Sequence, residues 1–178
     1  AAYKHVPLIE ANPFSAIKNN FLDTYEFMKL VTLYNISFFC LISSDKAVRP
    51  TNIMGASKRL SEIALKYIDS LPNHNTNFCS VRFGNVINSS GSVMPLFKNQ
   101  IDNNLPLTLT NKKIIRYFMT IEEAANLVLN TYKISKGGEI FFAKFKNEIV
   151  GTVALMPTKE NNVFELTKMA VKREYRNK

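Results

Sequence analysis

Apolar and polar positions fall into blocks along this chain, and the period of the blocks changes from segment to segment. Over residues 12–34, Ile17, Phe21, Tyr25 and Met28 recur at three- and four-residue intervals, which predicts a helix with one apolar stripe. ISFFCLIS, 36–43, is instead a continuous run of apolar, β-branched and aromatic residues. Strands buried on both faces of a parallel sheet read this way. Residues 52–70 return to the helical period, with Leu60, Ile63, Ala64 and Tyr67 as the expected core-facing set. NFCSVRFG, 77–84, predicts the next strand. A helix from about Val93 to Asp102 and an extended piece at LPLTLT, 105–110, follow. The last predicted helix covers 121–135 and carries Glu122 and Glu123 in its first turn, where the helix dipole favours acidic groups. Strand and helix alternating at this spacing predict an α/β fold on a parallel sheet.

The pattern changes after Lys136. GEIFFAKFKNEIVGTVALMP, 138–157, predicts two antiparallel strands with a tight polar turn near Lys146–Glu148, and VFELTKMAVKREY, 163–175, reads as another extended run. This places a boundary near Gly137–Gly138, between a first domain (1–138) and a β-rich tail (139–178).

Composition narrows the class. With 46% apolar and 11% aromatic residues the 178-residue chain is globular. No apolar run reaches the roughly 18 residues a spanning helix needs. Cys40 and Cys79 lie in apolar strands, and with His5 and His74 in unrelated contexts they form no metal pattern, which suits a reducing cytoplasm. The net charge of +9 fits an anionic ligand, but the lysines are scattered and no dense basic run marks a nucleic-acid binder.

Candidate chemistry gathers in SSDKAVRPTNIMGASK, 43–58. Met54 and Lys58 are four apart on the predicted helix and project from one face. Ser43, Ser44, Asp45 and Lys46 follow the strand 36–43, and open α/β sheets bind ligands at the carboxyl ends of their strands. These six residues are therefore expected around one crevice. The alternative on spacing alone is a polar loop with an ordinary Asp–Lys contact.

Four longer stretches carry a resemblance. AAYKHVPLIEANP (1–13), LISSDKAVRPTNIMGASKRLSE (41–62), SVRFGNVINSSGSVMPLF (80–97) and IRYFMTIEEAANLVL (115–129) occur in the order found in the carboxyl half of UDP-N-acetylglucosamine 4,6-dehydratases and epimerases. These are extended short-chain dehydrogenase/reductases of the polysaccharide biosynthesis protein family, and the resemblance covers residues 1–141. It implies a Rossmann-like sheet whose first strands and glycine-rich dinucleotide loop lie before Ala1. It also implies NAD or NADP as cofactor, a UDP-sugar as partner, and a cytoplasmic catalytic domain whose full-length parent is membrane-tethered in some relatives. A homo-oligomer is compatible with it. Lacking that glycine loop, the chain alone is expected to be a poor catalyst.

The implied reaction oxidises carbon 4 of the sugar, eliminates water across carbons 5 and 6, and returns hydride to carbon 6. By this resemblance Lys46 is the base for the carbon 5 proton and Asp45 the acid for the leaving hydroxyl, while Lys58 binds the nicotinamide ribose. Met54 occupies the position where the wider superfamily carries tyrosine. A thioether has no ionisable proton, so Ser43 or Ser44 is expected to relay the carbon 4 hydroxyl proton. The resemblance further implies substrate-binding roles for Lys4, His5, Asn85, Ser89, Ser90, Ser92 and Arg116. The serines can equally be an ordinary helix cap, and Arg116 an ordinary surface arginine.

Residues 139–178 resemble the central strands of GNAT-family N-acetyltransferases. There the backbone near Met169–Val171 would meet acetyl-CoA, and Arg176, Asn177 and Lys178 would open the pyrophosphate loop. GGEIF, 137–141, fits both resemblances, which implies a junction of two unrelated coding segments. A nucleotide-sugar dehydratase, a non-catalytic nucleotide-sugar-binding module and an acetyltransferase fragment are the three function classes the sequence leaves open.

Overall fold

The computed structural model describes residues 2–87, 89, 93–108 and 118–142, together with the backbone pairs 156–157 and 164–165. The elements run α1 (Val6–Ala11), α2 (Pro13–Ile17), a π-helical turn (Lys18–Leu22), α3 (Asp23–Leu33), β1 (Phe38–Ser44), a 3-10 turn (Asp45–Ala47), α4 (Ile53–Asp69), β2 (Asn77–Phe83), β3 (Asn85–Val86), α5 (Val93–Asp102), β4 (Phe118–Met119), α6 (Ile121–Ile134), β5 (Glu139–Phe142), β6 (Met156–Pro157) and β7 (Phe164–Glu165).

The central sheet has the order β1-β2-β5, and both pairings are parallel. Helices cover its two faces. On one, Met28 and Val31 of α3 and Ala64, Leu65 and Ile68 of α4 pack on Leu41 and Phe78. On the other, Ala124 and Leu127 of α6 pack on Cys79, Val81 and Phe141. Side chains of neighbouring strand residues point to opposite faces, so a strand buried on both sides must be apolar at nearly every position. That is why the runs at 36–43 and 77–84 could be read as strands. A buried side chain of leucine or phenylalanine size contributes roughly 1.5–3 kcal/mol, so these two layers supply most of the cohesion.

Three sequence expectations change. The helix expected over 12–34 begins earlier and is divided. Pro7 and Pro13 each sit in the first turn of a short helix, and Asn12 between them leaves the helical region (φ −136°, ψ 60°). Further on, the backbone is widened at Lys18–Leu22, which turns Asn20 inward to 1% exposure.

On α4 the expected core-facing set is mostly reversed. Ala64 is buried, but Leu60, Ile63 and Tyr67 are 40%, 52% and 55% exposed. The inward face carries Met54, Ser57, Ser61, Glu62, Leu65 and Ile68 instead. Each of these buried polar side chains has a partner. Ser57 Oγ accepts from Asn20 Nδ2 at 3.2 Å, and Ser61 Oγ donates to Asn20 O at 2.7 Å.

The third change concerns Glu139–Phe142, expected to open an antiparallel hairpin. It is β5, parallel to β2 with Cys79 opposite Glu139 and Val81 opposite Phe141. The boundary expected at Gly137–Gly138 therefore falls just before a strand of the main sheet. Both glycines have positive φ, 117° and 75°, and turn the chain from α6 into β5. The buried Glu139 carboxylate secures that turn by accepting from Ser135 Oγ (2.7 Å), Lys136 N (2.7 Å) and Gly137 N (3.0 Å). Beyond Phe142 the described residues show only the short antiparallel pair β6–β7, so the expected turn at 146–148 and the strand 163–175 lie largely outside them.

Candidate functional site at the carboxyl end of β1

Strand β1 ends at Ser44, and the chain turns at once into the 3-10 turn Asp45–Ala47. Ser44 caps this turn, its Oγ accepting from Lys46 N at 3.2 Å. The same hydroxyl donates to Asp45 Oδ1 at 2.9 Å, and Lys46 Nζ donates to that oxygen at 3.0 Å. Ser44, Asp45 and Lys46 thus meet at one carboxylate oxygen. The Asp45 and Lys46 side chains are 53% and 32% exposed, open to a ligand.

Lys58 joins this strand end from α4. Its Nζ donates to the carbonyl of Ile42 at 2.9 Å, two residues before Ser44. Burial pushes its pKa below the ordinary lysine value, and the charge of Glu62 one helical turn away acts in the opposite sense. The ammonium keeps two N–H groups beyond the one spent on Ile42, enough to hold a vicinal diol such as a ribose.

Two of the expected site residues face elsewhere. The Ser43 side chain is 4% exposed and donates to Glu62 Oε1 at 2.6 Å, so its proton is committed toward α4. The reason is strand alternation, which sends Ser43 and Ser44 to opposite faces. Met54 is 4% exposed and packs with Ile9 and Ala16 under α1 and α2, an apolar anchor for those helices. Of the two proposed relay hydroxyls only Ser44 stands beside Asp45 and Lys46.

A second group lies along the segment before α1 and after β2. Lys4 Nζ donates to Ser89 Oγ at 3.2 Å, and Ser89 Oγ donates to Val86 O at 2.8 Å. His5 is exposed at the start of α1, where its backbone carbonyl accepts from Ile9 N at 3.0 Å and its ring makes no capping bond. Asn85 opens β3, whose partner is β4 with Phe118 opposite. Ser90, Ser92 and Arg116 lie outside the described residues.

The sequence reading missed the residues that hold this site in place. Glu62, 1% exposed, takes Ser43 from β1, Arg82 from β2 and Arg59 from its own helix. Asn20 grips the backbone on both sides of Tyr3: its Oδ1 accepts from Tyr3 N at 2.7 Å and its Nδ2 donates to Tyr3 O at 3.0 Å. Glu10 Oε1 accepts from Ile53 N at 2.7 Å and ties α1 to the start of α4. An arginine inside an apolar strand run was the available signal for the first of these, since a buried charge requires a partner.

Among the described residues no helix is long and apolar enough to cross a membrane. Comparison with known proteins gives a consistent placement. The chain is 50% identical over 141 residues to the capsular polysaccharide biosynthesis protein CapD of Staphylococcus aureus, covering 79% of this chain and 23% of CapD. It is 39% identical over 145 residues to a UDP-glucose 4-epimerase of Rickettsia bellii, covering 81% and 42% respectively. The crystal structure of Pen from Bacillus thuringiensis superposes with a TM-score of 0.77 at 41% identity, covering 81% of this chain and 46% of Pen. The fold is shared at 16% identity and TM-score 0.71 with DesIV, a dTDP-glucose 4,6-dehydratase from Streptomyces venezuelae solved with NAD and TYD bound, over 80% of this chain and 49% of DesIV. The chain therefore spans less than half the length of each of these four proteins. The family described as polysaccharide biosynthesis protein matches residues 1–173, and the chain belongs to that family.

Proposed function

We propose that this chain carries the acid–base half of a nucleotide-sugar 4,6-dehydratase or epimerase acting on a UDP-N-acetylglucosamine-type substrate for surface polysaccharide synthesis. The observation that carries the reading is the Asp45–Lys46 pair, capped by Ser44 at the carboxyl end of β1. Family membership and the neighbouring enzymes support it.

Elimination across carbons 5 and 6 needs a neutral base and a protonated acid side by side. The 3.0 Å contact between Lys46 Nζ and Asp45 Oδ1 offers a direct route. Moving one proton along it turns the ion pair into a free amine and a carboxylic acid. A sugar closing over the pair excludes water, and a dry site favours the neutral forms. Lys46 then takes the carbon 5 proton while Asp45 gives its proton to the carbon 6 hydroxyl, which leaves as water. Lys46 returns its proton to carbon 5 when the double bond is reduced. Bound NAD supplies the acceptor for hydride from carbon 4 and the donor for hydride to carbon 6. Lys58 is the residue here that would hold its ribose, through the N–H groups left free of Ile42. Ser44 would relay the carbon 4 hydroxyl proton to Lys58 or to water.

Lys4 and Ser89, already in contact, would border the sugar nucleotide together with His5 and Asn85. Arg116, Ser90 and Ser92 are carried as phosphate contacts by the family resemblance alone. Residues 139–178 keep a second proposal as acetyltransferase-like strands, tested by protection of the tail from proteolysis on adding acetyl-CoA.

The decisive experiment incubates the chain with UDP-N-acetylglucosamine and NAD and follows both binding and product mass. Loss of one water marks a dehydratase, and conversion without mass change an epimerase. Because the chain alone is expected to be a poor catalyst, binding of UDP without conversion would favour the nucleotide-sugar-binding module for the isolated chain only. Unchanged binding and conversion in both Lys46→Met and Asp45→Asn would remove the assignment.

A further inference from the structure

Gly55 sits in the first turn of α4 and is buried. Its N–H donates to Asn52 Oδ1 at 2.8 Å, so it belongs to the cap of the helix. Glycine in a helix is disfavoured relative to alanine, and no unusual backbone angle requires it here. Its use is space. A Cβ at this position would lie 2.4 Å from the carbonyl oxygen of Lys46, 3.2 Å from the carbonyl carbon and 3.4 Å from Pro50 Cβ. The first distance is far inside van der Waals contact, and the blocking group is backbone that cannot rotate aside.

The carbonyl of Lys46 thus rests in the notch that Gly55 leaves on α4. This is the third fixing point of the Asp45–Ala47 turn. The others are the Ser44 cap on Lys46 N and the bond from Val48 N to Asp45 O at 3.2 Å. Lys58 lies on the same helix, three residues after Gly55. The notch therefore sets the height at which Asp45 and Lys46 stand relative to Lys58.

Resting on the function proposed above, we infer that Gly55 is a positioning residue for the Asp45–Lys46 pair, acting through the close approach of its Cα to the Lys46 carbonyl. A methyl group at 55 lifts the turn by roughly an ångström, a displacement of the size that costs a positioned catalyst about a hundredfold. Because the Lys58 contact with Ile42 does not pass through the turn, Lys58 stays where it is.

The test is Gly55→Ala, read by carbon and nitrogen NMR of the side chains of Lys46 and Lys58 in the chain without ligand. Lys46 is expected to change its chemical shifts, with Lys58 superimposing on the parent spectrum. In parallel, where the parent chain converts UDP-N-acetylglucosamine, Gly55→Ala is expected to lower kcat about a hundredfold with KM within about threefold. If Gly55→Ala is too unstable in buffer, the same spectra are taken in trimethylamine oxide, which favours the folded chain. Lys46 signals identical to the parent, or Lys46 and Lys58 moving together, overturn the inference. The spectra need no substrate, so a parent chain that binds no nucleotide sugar would end the functional reading and leave this test intact.

Discussion

Arg82 meets Glu62 along two parallel bonds, Nε to Oε1 at 2.6 Å and Nη2 to Oε2 at 2.5 Å, with both side chains almost wholly inside the protein. The arginine comes from β2 and the glutamate from α4. Ser43 of β1 adds a third bond to the same carboxylate. One buried anion therefore ties together the carboxyl ends of two strands and the helix that carries Lys58.

Removing one member takes the two-bond contact from the other. Glu62→Ala or Arg82→Ala is expected to lower stability by roughly 3–5 kcal/mol, as for other broken buried pairs. Glu62→Met combined with Arg82→Met should recover most of that loss, because neither buried charge then remains. Urea titration of the two single variants and the double variant is the check, and additive losses in the double would contradict it.

Lys58 gives stability a pH dependence whose sign can be worked out. Burial places its folded pKa below the ordinary value of 10.5. Between the folded and unfolded pKa the unfolded chain holds more protons, so stability due to this group rises with pH across that window. The penalty of burying the ammonium is full below the folded pKa and disappears above the unfolded one. The difference in unfolding free energy between the parent and Lys58→Met should therefore shift in favour of the parent as pH climbs toward 10.5. Urea midpoints of the two proteins at matched pH values measure it, and a flat difference would count against the burial of Lys58.

Cys40 and Cys79 are register partners on β1 and β2, Cys40 half-buried and Cys79 buried. The neighbouring thiol lowers the pKa of Cys40, whereas that of Cys79 is pushed far up, first by Cys40 and then by burial. Only the thiolate is a nucleophile. Native alkylation is therefore expected to modify Cys40 first, and denatured protein both cysteines. Peptide mass mapping distinguishes the two, and equal labelling of Cys79 in the native protein would contradict it.

Gly138 has φ of 75°, and a Cβ there would come 2.8 Å from Asp69 Oδ2. Gly138→Ala is expected to cost more than about 1 kcal/mol, from backbone strain and the clash together. Adding Asp69→Ala should return the clash portion and leave the strain. Thermal melts of the single and double variants separate the two.

The legible parts of this fold were those whose signal is local. Strands β1 and β2 announced themselves because both faces demand apolar residues. An acidic first turn marked α6, where the structure adds a reciprocal cap between Thr120 and Glu123. The face of α4 was misread because periodicity counts Leu60, Ile63 and Tyr67 as core and Ser57, Ser61 and Glu62 as surface. The partners that make those polar residues at home inside, Asn20 and Arg82, lie some 20 to 40 positions away in the chain. The pairing of β5 was hidden for the same reason, its partner β2 being about 60 residues earlier. At the site, Asp45, Lys46 and Lys58 could be assigned to one strand end by topology. That Ser43 turns away from Ser44 follows from strand alternation and was available from the sequence. The notch at Gly55 was not, because it depends on how closely a turn and a helix approach.

The grip of Asn20 on Tyr3 has a mechanical corollary. Lys4 is the next residue along, and its ammonium reaches Ser89 after β3. Ser89 is thus reached from the helical layer rather than from the sheet. Any shear of the widened helical turn against the strands would carry Lys4 with it and strain its bond to Ser89, while the Asp45 turn stays seated on α4.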